Sequence, residues 1–171
     1  LDAFEATGAS GSVEHAQLLR REDIARFAAL GVTASMQPHH LVADRDTAER
    51  VWADRTDRLY LARSLVDAGA TLALGSDAPV SPPDPWLTMA TAVHRSGDDR
   101  PGWHPAESLT PREALAASVD GRRLRVGDRG DLVVLGADPL WEGDPAATHA
   151  HLLAMPVRAT VCAGRITHRA G

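Results

Sequence analysis

Three short stretches place groups that bind cations or move protons at the ends of strand-like runs. Residues 12–16, SVEHA, close on Glu14-His15. Residues 32–40, VTASMQPHH, close on Gln37-Pro38-His39-His40, and TLALGSD closes on Ser76-Asp77. Imidazole and carboxylate suit Zn²⁺, and a carboxylate beside an activated water can serve as a general base. Taken singly, each residue has a plainer reading. His15 fits a hydrogen-bonded structural residue, His39 and His40 fit solvated loop positions, and Asp77 fits a turn or helix cap. Their recurrence at three strand ends favours a joint reading, because an Asp ending a buried strand costs desolvation unless paired or beside a cation. In parallel βα units every strand C-terminus opens on the same face, so His15, His39 or His40, and Asp77 could converge there.

The elements that must position these residues are legible in part. Ile24, Phe27, Ala28 and Leu30 recur at helical spacing before Gly31. Leu59, Leu61, Ala62, Leu65 and Val66 line one side of a second predicted helix that stops at Gly69. DPWLTMATAVHR reads as a helix, and TPREALAAS opens with a capping box in which Thr110 caps, Pro111 takes the first position and Glu113 reaches back. QPHHLVADRDTAERVWADR is polar and aperiodic, and reads as a loop. Strand followed by helix, three times over, predicts parallel βα units over 1–121. From 122 to 171 the pattern shifts to short Gly-punctuated strands, GDLVVLGADP, VRATVCAG and RITH, with no helix expected between them.

Composition narrows the chemistry. All 18 basic residues among the 171 are arginine, which excludes a Schiff-base lysine, a P-loop lysine and a carbamylated-lysine metal bridge within this chain. The single cysteine, Cys162, excludes an internal disulfide framework and a Cys-rich zinc site. A net charge of −5 with interspersed charges argues against nucleic acid or an anionic membrane as partner. No apolar run approaches the roughly 20 residues of a membrane span. The opening LDAFEATGA reads as the middle of a helix ending at Gly8, so a longer parent protein is expected, with a cytoplasmic location.

In this order, SVEHAQLL, GVTASMQPHH, LVDAGATLALGSDAPV and GDLVVLGADPL resemble the amidohydrolase superfamily, and within it the amidohydrolase-3 branch of N-substituted formamide deformylase-like enzymes. The resemblance implies a metal-dependent hydrolase (β/α)8 barrel with a small β-sandwich, of which this chain supplies the C-terminal βα units, strands six to eight, and then sandwich strands. It implies hydrolysis of an amide-type, non-peptide C–N bond of a small molecule by metal-activated water, with Zn²⁺ or another divalent metal in the complete enzyme. By position, His15 matches a metal ligand, and Asp77 matches the aspartate that touches the metal and shuttles the proton. His40 and Asp44 match polar positions facing substrate, with Gln37 and Trp52 beside them. The family's paired His-x-His, its bridging ligand and its strand-five histidine have no counterpart here. With two matched ligands, this stretch alone is expected to hold zinc weakly, if at all, and to be inactive. The alternative is a non-catalytic interaction domain that kept the fold. Apolar faces of the last strands, such as Leu132, Val134 and Val161, are expected to pack on the βα part or on a second copy of the chain.

Overall fold

A computed structural model describes residues 1–171. Its first sheet has three parallel strands, β1 (Ser12–Glu14), β2 (Thr33–Met36) and β3 (Leu72–Leu74), in that spatial order. Ser12 pairs with Thr33 and Glu14 with Ser35, while Ala34 pairs with Leu72 and Met36 with Leu74. The three C-terminal ends therefore lie side by side. Helices fill the connections, as parallel pairing requires.

Helix α1 (Asp2–Thr7) precedes β1 and ends at Gly8 in the left-handed conformation. Helix α2 (Ile24–Leu30) buries Phe27 and stops at Gly31, whose φ of 62° suits glycine. Helix α3 (His40–Val51) follows β2. The predicted loop over this stretch is thus corrected: only Leu41 and Ala48 are buried along the helix, so no apolar stripe announces it. Helix α4 (Ala62–Asp67) is shorter than the spacing suggested, since Leu59 and Tyr60 are extended or left-handed residues buried just before it.

Helix α5 (Pro85–His94) begins where the Asp84 carboxylate accepts from the backbone N–H groups of Trp86 and Leu87. Helix α6 (Pro111–Ser118) opens with the expected capping box of Thr110 and Glu113. Glu113 also takes both ends of the Arg63 guanidinium, at 2.6 Å each, which ties α6 to α4. That ion pair is the main reason its carboxyl falls to about 2, with Thr110 contributing.

The second sheet is antiparallel, in the order β4 (Leu132–Leu135), β5 (Val157–Cys162), β6 (Arg165–Arg169). Helix α7 (Pro145–Leu153) lies between β4 and β5, which corrects the expectation of a helix-free segment. It packs against α5 and sinks Leu152 into the same core as Phe27, Val32, Leu65 and Met89. The second sheet gains no such cover: Val133, Val134 and Ile166 are 48%, 46% and 56% exposed. No helix is long and apolar enough to cross a membrane.

Candidate metal centre

The three strand ends do converge. One nitrogen each from His15 and His40 and one oxygen from Asp77 lie within 4.8 Å of one another. His40 Nε2 stands 3.9 Å from Asp77 Oδ2. The rings of His15 and His40 are stacked, with centroids 5.8 Å apart. A tetrahedral zinc with bonds of about 2.0–2.1 Å separates its donors by roughly 3.4 Å, so small side-chain adjustments complete the geometry.

Local backbone explains how such short strands aim these groups. His15 and Asp77 sit just past β1 and β3 with φ of 67° and 54°. Left-handed conformation is unfavourable for residues with a Cβ and is tolerated when the surroundings fix it, most often at functional sites. His40 instead heads α3, directly after the end of β2. His39, its neighbour in the paired histidines, turns away and meets Thr91 Oγ1 on α5 at 3.3 Å. Spacing alone left the two histidines open, and the family resemblance matched His40 to a substrate-facing position; the first turn of α3 separates the pair and brings His40 to His15 and Asp77.

The site tests well for a cation. His40 Nε2 is buried without a hydrogen-bond partner, although an unpartnered buried polar atom costs about 1–3 kcal/mol. Two imidazoles and a half-exposed carboxylate are a donor set that zinc accepts. Both the orphaned nitrogen and the donor chemistry fit a divalent metal.

Behind His40, one turn along α3, the Asp44 carboxylate accepts from Gln17 Nε2 and from the Tyr60 hydroxyl, the latter at 2.5 Å. Burial, and then the hydrogen bond to Asp44, push the Tyr60 phenol well above its usual range, which keeps it a donor. The Tyr60 carbonyl in turn accepts from the buried Arg95 guanidinium, which burial lowers to about 10. These contacts link the segment after β1, helix α3 and the segment before α4. Gln17 and Tyr60 were absent from the expected set. Gln17 lies within the SVEHAQLL motif, but nothing in Tyr60's sequence context points at Asp44.

Gln37 is buried, and its Oε1 also lacks a partner. Trp52, just past the end of α3, is 40% exposed. Glu14, beside His15, is engaged by Ser12 and Ser35, which lower its carboxyl and leave it outside the cluster.

Comparison with known families matches residues 1–168 to the amidohydrolase family. The chain belongs to that family. YtcJ of Bacillus subtilis is 30% identical over 90% of the chain. The N-substituted formamide deformylase of Arthrobacter pascens is 29% identical over 82%. Protein LONG AFTER FAR-RED 3 of Arabidopsis thaliana is 36% identical over 70%. The chain spans 31%, 29% and 22% of these three relatives, respectively.

Among solved amidohydrolase-like structures, an uncharacterized metal-dependent hydrolase from Pyrococcus horikoshii superposes with a TM-score of 0.61 at 35% identity. That match covers 68% of this chain and 24% of the other. The atrazine chlorohydrolase TrzN from Arthrobacter aurescens, complexed with zinc, superposes with a TM-score of 0.57 at 22% identity. It covers 92% of this chain and 36% of that one, and supports the amidohydrolase fold alone.

Proposed function

We propose that this chain carries the cation-binding and proton-handling strand ends of a metal-dependent hydrolase acting on a non-peptide, amide-type C–N bond of a small molecule. The observation that carries the reading is the meeting of His15, His40 and Asp77 around a buried, unpartnered His40 nitrogen. Membership of the amidohydrolase family supports the hydrolytic class, and the formamide deformylase relative supports the C–N bond. In this reading residues 1–121 are the C-terminal βα units of a (β/α)8 barrel and 122–171 supply strands of a small sandwich. The parallel order of β1, β2 and β3 agrees with the first assignment, and the exposed second sheet agrees with the other.

A divalent metal, zinc by the preference of these donors, would polarise the scissile carbonyl and acidify water when bound. His15 and His40 supply neutral nitrogen donors. Asp77, half exposed, accepts the proton of the attacking water at a carboxylate oxygen and delivers it to the leaving nitrogen. His40 has one ring nitrogen for the centre, and its first-turn position on α3 also faces substrate. Asp44 orients that turn through Gln17 and Tyr60 while bordering the substrate side. Gln37, between β2 and α3, stands near this region, whereas Trp52 follows the opposite end of α3, roughly 18 Å along the helix from His40, and lies outside it.

The test uses the complete parent protein. Asp77→Asn keeps the size of the side chain but cannot take the proton, so kcat on an amide substrate falls by about 10²–10⁴-fold. Metal content is largely retained, because the two imidazoles remain. Near-parental turnover in this variant would assign the proton transfer to another group. A parent protein that binds no metal and turns over no amide would instead favour a non-catalytic domain of the same fold.

A further inference from the structure

A second pair of histidines lies outside the centre described above. His94 ends α5 and His149 sits in the middle of α7, and the packing of these helices brings their rings to 5.2 Å between centroids, inclined at 49°. Both line a cleft of about 480 Å³, along with Asp98, Asp99 and Arg100. Nothing in helix packing asks for this arrangement. His94 Nδ1 is buried and has no hydrogen-bond partner, where an apolar side chain would carry no such cost.

The charges around the cleft do not explain the pair. The Asp98 carboxylate is taken up by Ser96 and Arg100, and Arg100 also reaches Asp46 at 2.5 Å. Burial, then the field of His94 and that of His39, hold His149 below the usual imidazole range. Beside an arginine already committed to two carboxylates, the two imidazoles offer ring lone pairs to a borderline-soft cation. The spacing agrees: with bonds of about 2.0–2.1 Å, a tetrahedral zinc holds the centroids of two histidine ligands roughly 5 Å apart.

We propose that His94 and His149 form a second divalent transition-metal site, which clips α7 to the C-terminal end of α5. Water fills the remaining positions, and the exposed Asp99 adds a carboxylate to the same cleft wall. The site is independent of the one at the strand ends, since it shares no residue with His15, His40 and Asp77.

The experiment strips the complete parent protein of metal and titrates it with zinc chloride. Binding is followed by calorimetry and by the ring C–H resonances of the histidines, assigned from single substitutions. The expected result is a zinc equivalent that survives His15→Ala, shifts the His94 and His149 resonances together, and weakens more than tenfold in His94→Gln and in His149→Gln. Loss of an outer partner alone costs roughly 10–100-fold, and a direct ligand costs at least as much. Circular dichroism confirms that the variants keep the parental helix content. His94→Gln, at a helix end, supplies the answer if His149→Gln does not fold. Resonances of His94 and His149 that stay fixed while those of His15 and His40 move would overturn the proposal. So would binding that both glutamine variants leave undiminished, or that appears only at millimolar zinc.

Discussion

The parallel sheet and the antiparallel sheet solve opposite problems. The first is wrapped by helices, and its neighbourhood holds the buried core of Phe27, Val32, Leu65 and Met89. Against that apolar background its strand ends carry His15 and Asp77 in left-handed conformations and His40 with an unpartnered nitrogen. The second sheet leaves Val133, Val134 and Ile166 in water, with no unusual polar cluster near them. Well-packed surroundings let the first region sustain strained, under-satisfied polar groups, each at a cost of about 1–3 kcal/mol. The second region holds no orphaned buried polar atom, and its left-handed non-glycine residue, Ala163, sits in the exposed turn between β5 and β6. The contrast identifies the parallel strand ends as the place where stability is exchanged for chemistry.

The sharpest way to break this comparison is in the core. Phe27→Ala should lower the unfolding free energy by about 3–5 kcal/mol, measured by urea denaturation. Leu152→Ala should cost about 2–5 kcal/mol, because α7 is anchored through it to the same core. A loss below 1 kcal/mol in both would mean that the parallel region is not the rigid half.

A smaller effect is expected behind the site. Asp44→Ala leaves the Tyr60 hydroxyl and the Gln17 amide without their acceptor and should cost about 1–3 kcal/mol. It should also weaken zinc binding at the strand ends by roughly 10–100-fold, as loss of an orienting partner does. Unchanged zinc affinity would restrict Asp44 to the substrate side.

The ion pair between α4 and α6 gives a pH signature. Glu113 is held at about 2, below its ordinary 4.5. A lowered folded-state value stabilises the protein fully above the unfolded value, and that contribution disappears as pH falls from about 4.5 towards 2. Glu113→Gln should remove this part of the acid dependence while leaving the neutral-pH melting curve less affected in shape than in position. An identical acid profile in the variant would contradict the assignment. At the small end, Val134→Thr in the exposed sheet should change stability by no more than about 0.5 kcal/mol.

Much of this was legible in the sequence, for reasons that differ between elements. Strand and helix periodicity revealed the order of β1, α2, β2 and β3, and the Thr110-Pro111-Glu113 pattern announced α6 through its own hydrogen bonds. Helix α3 was hidden because only Leu41 and Ala48 are buried along it, while the half-buried His40 and Asp44 face polar groups, so it lacks an apolar stripe. Helix α7 was announced but overlooked. Asp144-Pro145 repeats the Asp84-Pro85 start of α5, with the aspartate accepting from the backbone N–H of Ala147. The convergence of His15, His40 and Asp77 followed from the shared direction of parallel strands. The family motif singled out His40 over His39, but as a substrate-facing residue; its place beside His15 and Asp77, and the role of Tyr60, depend on tertiary contacts that no local pattern encodes.

The central claim is that one cation is held jointly by the ends of three parallel strands. It is tested most directly by zinc calorimetry on the metal-free parent protein carrying His149→Gln, which removes the helix-borne pair. The account predicts zinc binding in that background, and a loss of at least tenfold in affinity on adding either His15→Ala or His40→Ala. Binding that neither substitution alters would contradict it.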